Sequence, residues 1–307
     1  MVHSRLISCK QSPNYPSDEL TVSGSTPKHQ EVHHSRKHRD IQNIRGYSCS
    51  LYSQQHAPNS QTIEKPPTST IMSFTVLPAL IPDITNVYNA YFAAFAQDPI
   101  TRALFPDTKP EDMTNPESEF RKSHTTHTLS YWHTSSTQYT LKCTTTPTPT
   151  TSTTIGMALL DIYTTPSDWT PPTSLPWLAE PHHTRALTLL SPLWNLRERL
   201  WKNERYVYVH VMAVHPGFQR KGVGKLLMAE AMRVARQAGL PVYLEATKVG
   251  RGLYEGLGFR RVKGGVVKRE KGVLPDELEG EEEAEVVAMV WVPEGVENGL
   301  PKAVELE

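Results

Sequence analysis

The residues best suited to chemistry are Gln219-Arg220-Lys221-Gly222-Val223-Gly224, which put two glycines beside two cations. The residues on either side define the setting. Upstream, Val207, Val209, Val211 and Ala213 alternate with Tyr208, His210, Met212 and Val214, the period-two pattern of a strand packed on both faces. His215-Pro216-Gly217 ends that strand. Downstream, Val223, Leu226, Leu227, Ala231, Val234 and Ala238 recur at helical spacing until Gly239 and Pro241 stop the helix. The first turn of a helix presents unpaired N–H groups and the positive end of its dipole, and glycine lets an anion come close to them. Arg220, Lys221 and Lys225 crowd the same turn, where positive side chains are unfavourable unless an anion offsets them. The spacing predicts a phosphate group held on backbone amides.

Two familiar phosphate loops do not fit. A Walker loop needs Lys-Ser or Lys-Thr after Gly222, where the chain has Val223-Gly224. A dinucleotide fingerprint begun at Gly222 needs a third glycine where Leu227 stands. What does fit is Gln/Arg-x-x-Gly-x-Gly/Ala after a strand ending in Val-x-Pro, and in this the chain resembles the GNAT (Gcn5-related) N-acetyltransferase superfamily. Further on, Val242-Tyr-Leu-Glu-Ala246 resembles that family's next strand. Gly252-Leu-Tyr254-Glu-Gly-Leu-Gly-Phe259 resembles its helix-to-strand signature Leu-Tyr-x-x-x-Gly-Phe.

The resemblance implies an α/β acyl-CoA N-acyltransferase fold, a mixed twisted sheet with helices on both faces. It also implies acetyl-CoA as donor and a primary amine as acceptor, a small molecule in preference to a protein lysine, joined by direct attack in a ternary complex. Gln219, Arg220, Lys221, Gly222, Val223, Gly224 and Lys225 would hold the pyrophosphate. Met212, Ala213 and Val214 would line the thioester arm, with the N–H of Met212 or a neighbour polarising its carbonyl. Tyr254 stands at the family position of the general acid that protonates the departing thiolate. Tyr208-Val-His210 resembles the strand of arylalkylamine acetyltransferases in which two histidines assist deprotonation through water; here one of the two is tyrosine. His210 as base stands beside its reading as a hydrogen-bonded core histidine, with Glu204 and Glu245 as other candidate bases. A non-catalytic acyl-CoA-binding module is the alternative to an enzyme.

The rest of the chain must position these groups. Residues 1–71 are rich in Ser, His, Gln, Pro and Lys/Arg and lack apolar periodicity, so a disordered tail is expected. There is no apolar run of signal-peptide length near Met1, and a cytoplasmic protein is expected. The basic cluster His33 to Arg39 reads as a solvated run, with a nuclear address as the other reading. The catalytic domain is expected over residues 72–293. It opens with a strand from Phe74 to Leu77 and a helix whose Ile84, Val87, Tyr88, Tyr91, Phe92 and Phe95 share one face.

A polar helix over residues 117–135 follows. Strands over 138–145 and 154–163 are expected on either side of a long Thr/Pro-rich loop. Residues 164–202 form a Pro-rich insertion holding four of the six tryptophans, with a helix from about Ala186, and it either covers the acceptor pocket or pads the sheet edge. Strands from Arg260 and over 286–292 bracket the acidic run 279–285, and residues 294–307 read as a polar tail.

Formal charge is zero overall, so nucleic-acid binding by the whole molecule is not indicated. Cys9, Cys49 and Cys143 supply neither a disulfide framework nor, with the histidines, a metal-ligand spacing, so no metal is expected. No apolar run is long enough to cross a membrane.

Overall fold

The computed structural model describes residues 73–148, 151–269, 272, 285–296 and 299–307. Seven strands form one sheet: β1 (Phe74–Pro78), β2 (Gln138–Thr148), β3 (Thr151–Ile162), β4 (Val207–Val214), β5 (Val242–Thr247), β6 (Arg260–Lys268) and β7 (Glu285–Trp291). Their order is β1-β2-β3-β4-β5-β7-β6, and every pairing is antiparallel except β4 with β5. The helices are α1 (Ile84–Phe95), α2 (Pro99–Leu104), α3 (Pro110–Thr114), α4 (Glu119–Thr134), α5 (His182–Trp201), α6 (Val223–Ala238) and α7 (Lys248–Glu255). The sheet is mixed and carries helices on both faces.

One face is covered by α6, whose Val223, Leu227, Met228, Ala231 and Ala235 pack with Val207, Val209 and Met212 of β4. The opposite face is shared. There α1 sets Val87, Tyr91 and Phe92 against Met157, Leu159, Val211 and Ala213. Alongside, α5 sets Leu190, Trp194 and Trp201 against Tyr206, Tyr208, Tyr243 and Val290. Leu190 and Leu227 are fully buried, and each such side chain contributes about 2 kcal/mol of transfer free energy. The tryptophan-rich insertion therefore packs on the sheet face beside β4, and its helix starts at His182, earlier than the sequence suggests.

The alternation in β4 is broken. Val207, Val209, Met212 and Val214 belong to the α6 side, while Tyr208, Val211 and Ala213 face the other way. The cause is a β-bulge: Leu159 pairs with Val211 and Leu160 with Val209, so His210 is an extra residue without a cross-strand place. A uniform period of two over 207–214 is thus corrected at one residue.

Two other expectations change. The strands β2 and β3 run to Thr148 and from Thr151 and pair there, so they extend into the stretch 144–153 expected as a loop, and residues 149–150 between them lie outside the described residues. The C-terminal residues dock on β6: Lys263 N–H donates to the Glu305 carbonyl at 2.8 Å, Glu307 N–H donates to the Arg261 carbonyl at 2.9 Å, and Val304 is buried. Residues 1–71, the basic cluster and acidic positions 279–284 lie outside the described residues.

Candidate active site

The parallel strands β4 and β5 pair at Val207 with Val242 and at Tyr208 with Tyr243, and beyond those pairs no further register joins them. From Val209 onward no ladder pairing joins β4 and β5, so the strands part in a wedge towards their carboxyl ends. Open α/β sheets bind ligands at such carboxyl ends. Met212, Ala213 and Val214 lie on this diverging part of β4.

The glycine turn sits at the same end. Gly222 is the N-cap of α6 at φ +86°, and no side chain caps the helix. Gly222 is exposed and a Cβ built on it meets nothing within 4 Å, so the space beside the first turn is open. Arg220 also has positive φ, 62°, a conformation that costs a non-glycine residue about 1–2 kcal/mol. Outliers of this kind gather at ligand clamps. The turn is tied down from below, since Gln219 Nε2 donates to the Val214 carbonyl at 3.2 Å and Lys221 Nζ to the Gly217 carbonyl at 2.9 Å. Gln219, Arg220, Lys221 and Lys225 are exposed, and no acidic residue stands in the first turn of α6. The donor set of open amides and cations fits a pyrophosphate.

Close packing holds helix and wedge together. A Cβ on Gly156 of β3 would come within 3.0 Å of the Ala213 carbonyl oxygen and of Val223 Cγ1, so glycine is what lets α6 approach β3 and β4 here. A Cβ on Gly224 would lie 3.3 Å from Leu253 of α7 and 3.6 Å from Met212 Cε. Leu253 thus sets α7 against the first turn of α6, and Tyr254 is the next residue of that helix. Its ring packs on Phe259 at 5.6 Å and is buried, and burial pushes its pKa up, which keeps the proton on the phenol at neutral pH.

On the opposite face, the bulged His210 belongs to a buried polar cluster. Its Nε2 lies 2.5 Å from Asp161 Oδ2 on β3. Asp161 Oδ1 also accepts from Tyr131 Oη at 3.1 Å and Thr137 Oγ1 at 2.8 Å, and Oδ2 accepts from Tyr163 Oη at 3.3 Å. The Tyr208 ring stands edge-on to His210 at 4.4 Å, and its hydroxyl donates to Glu245 Oε2 at 2.8 Å. Burial raises the pKa of Glu245, and the Tyr208 hydrogen bond only partly opposes this.

The insertion contributes Arg197, fully buried from α5, with its guanidinium 4.0 Å from the Trp169 ring centroid and 3.7 Å from that of Tyr208. It donates to Tyr206 Oη at 2.9 Å and Tyr163 Oη at 3.2 Å. Burial works against its charge, but Tyr206, Tyr208, Tyr163 and Asp161 outweigh that and hold its pKa above the ordinary range.

The structure thus brings the loop residues, the end of β4 and the Tyr254 region to one end of the sheet, and joins His210 with Glu245 through Tyr208. It does not bring Glu204 to them. Glu204 lies in the turn before β4, its N–H donating to the Trp201 carbonyl at 3.1 Å and its carbonyl accepting from Ser167 N–H at 2.9 Å. That is the opposite end of β4 from the loop. Sequence reading missed Asp161 and Arg197, although each left a signal: a lone carboxylate in the apolar strand Ile155–Ile162, and a cation on the apolar stripe Leu190, Leu193, Trp194, Leu200, Trp201. Among the described residues no group of three His, Cys, Asp or Glu side chains is placed to hold a metal, and no helix is long and apolar enough to cross a membrane.

Comparison with known proteins bears directly on this arrangement. The model of the acetyltransferase (GNAT) family matches residues 155–259, from β3 through the wedge, the glycine turn and α7. Among solved structures, the chain is similar to a polyamine N-acetyltransferase of Drosophila melanogaster (13% identity, 72% of this chain and 100% of that one, TM-score 0.48). It is also similar to a protein described as histone acetyltransferase HPA2 and related acetyltransferase from Corynebacterium glutamicum (19% identity, 72% and 97%, TM-score 0.45). A curated protein of Ajellomyces capsulatus, named "Probable acyltransferase SID5", is 32% identical over 104 residues, which are 33% of this chain and 70% of that protein. With identity at that level over most of the relative and the family model laid across the wedge and turn, this chain belongs to the GNAT family of acetyltransferases.

Proposed function

We propose that the chain transfers an acetyl group from acetyl-CoA to a primary amine on a small molecule, by direct attack within a ternary complex. The observation that carries this reading is the β4–β5 wedge opening beside the uncapped N-terminus of α6, where the open space at Gly222 accepts a phosphate and the diverging strand accepts a thioester arm. Amides of residues 222–225, with Arg220, Lys221 and Lys225 around them, hold the pyrophosphate. Acetyl-CoA, when bound, supplies the acetyl thioester.

The chain's own groups handle protons and charge. His210 accepts the proton that the acceptor ammonium must lose, since an imidazole titrates near neutral pH. A backbone N–H of the Met212 region polarises the thioester carbonyl. Tyr254, whose phenol is protonated at neutral pH, donates its phenolic proton to the departing sulfur. Glu245 is the second candidate base, and its hydrogen bond from Tyr208 leaves it adjacent to the same cluster. Glu204, at the far end of β4, is the weakest candidate of the three.

Initial rates measured over a grid of acetyl-CoA and amine concentrations test the reading. Direct attack in a ternary complex gives intersecting double-reciprocal lines and an acetylamide product by mass. Parallel lines, the sign of a covalent acetyl-enzyme, would overturn it.

A further inference from the structure

We propose that Asp161 is the positioning residue of the base: it fixes the tautomer of His210 and stabilises the imidazolium formed when His210 takes the acceptor's proton. The proposal rests on the reading of His210 as base. Three observations carry it. His210 is the extra residue of a β-bulge in β4, and bulges re-aim a side chain out of the regular strand pattern. Its Nε2 meets Asp161 Oδ2 across the sheet. And Asp161 is held by three further donors, Tyr131, Thr137 and Tyr163, so the carboxylate is fixed before His210 reaches it.

The chemistry follows from the partner. A carboxylate that accepts four hydrogen bonds requires a proton on His210 Nε2, which places the basic lone pair on Nδ1. A proton leaving the ammonium arrives at Nδ1, the N–H bond of the amine breaks as the Nδ1–H bond forms, and the freed nitrogen lone pair attacks the thioester carbonyl. The imidazolium then carries two N–H groups, one still donated to Asp161, so its positive charge faces a negative one. The other groups are Tyr208 on the same strand, Arg197 of α5 stacked on the Tyr208 ring and tied through Tyr163 to Asp161, whose charge also holds its own, and Glu245 of β5 on the Tyr208 hydroxyl. Tyr131 of α4 and Tyr163 after β3 both donate to Asp161. A supporting carboxylate of this kind raises the basicity of its histidine, and removing it lowers both basicity and orientation.

The test compares D161N and H210Q in the full chain, using pH–rate profiles with acetyl-CoA and the best amine of a panel. D161N is expected to lower kcat by about tenfold or more and to move the acidic limb about one pH unit or more downward, with KM for acetyl-CoA unchanged. H210Q is expected to abolish that limb. If H210Q keeps the limb, His210 is not the base and the proposal falls with that reading. If H210Q loses the limb while folded D161N keeps its position, whatever the plateau, Asp161 is structural only and the base reading stands. A second measurement needs no active variant of Asp161: nitrogen-15 spectra of histidine-labelled wild-type protein, with the His210 signals assigned by difference from H210Q. A neutral ring protonated at Nε2 is expected, and one protonated at Nδ1 would overturn the proposal.

Discussion

Replacing Gly222 by valine separates the two reasons a glycine can be required at the head of α6. At φ +86° a side chain is strained, and this costs about 1–2 kcal/mol of folding stability. A Cβ there meets no protein atom within 4 Å, so the folded scaffold has room for the added methyls and they project into the open space beside the turn. Loss of acetyl-CoA affinity should be at least about tenfold, or 1.4 kcal/mol. Strain alone is controlled by Gly239→Val at the other end of the same helix, where φ is +63° and a Cβ again meets nothing within 4 Å. The two glycines stand about 26 Å apart along α6. Thermal melts should show comparable destabilisation in both variants, whereas calorimetric titration with acetyl-CoA should show weakened binding only in Gly222→Val. Unchanged affinity in a folded Gly222→Val protein, or equal losses in both, would refute the assignment of this turn to the pyrophosphate.

Tyr254→Phe removes a proton donor but little volume, so acetyl-CoA affinity should hold while turnover falls; unchanged turnover across pH would mean another acid, such as water, serves. Gly156→Val should be destabilising by about 1–3 kcal/mol, because its Cβ would press on the Ala213 backbone oxygen and on Val223, and denaturant titration reads this directly. His124 is buried among Tyr88, Phe92 and Phe120, and burial, with Arg121 nearby, lowers its pKa from 6.5 to about 3. The unfolded chain therefore binds a proton that the native protein refuses. Stability is fully present above pH 6.5 and falls by about 1.4 kcal/mol per unit as pH drops towards 3. Glu245, with its raised pKa, acts in the opposite sense, so the readout is the difference between wild type and His124→Leu, whose stability should lose less on acidification.

The strand, glycine turn and helix over 207–238 were legible because their pattern is local: glycine spacing, a strand on one side and an apolar helical stripe on the other. The wedge was implied only by the family resemblance, since divergence of β4 from β5 depends on pairing between residues 35 positions apart. The bulge at His210 escaped because alternation presumes one residue per pleat, and Val207–Val214 is apolar on both sides of the fault. The β2–β3 tip was misread because proline and threonine suggest a loop. Thr146–Thr148 lie beyond the last β1 pair among the described residues, Phe74 with Thr145. The short helix α2 was passed over as a turn after α1, although Asp98 before Pro99 is a helix-start pattern and its carboxylate caps α2 by accepting from Ile100 and Thr101. The meeting of Asp161, Arg197 and His210 draws on β3, α5 and β4, and only the tertiary fold joins them.

The central claim, acetyl transfer to an amine, is tested most directly by release of free CoA thiol from acetyl-CoA, followed colorimetrically with and without each member of a panel of small primary amines. The account predicts thiol release that depends on an amine, with stoichiometric acetylamide by mass, and that is lost in Gly222→Val. Tight acetyl-CoA binding without amine-dependent thiol release from any amine, small molecule or lysine peptide, would contradict it and leave an acyl-CoA-binding module.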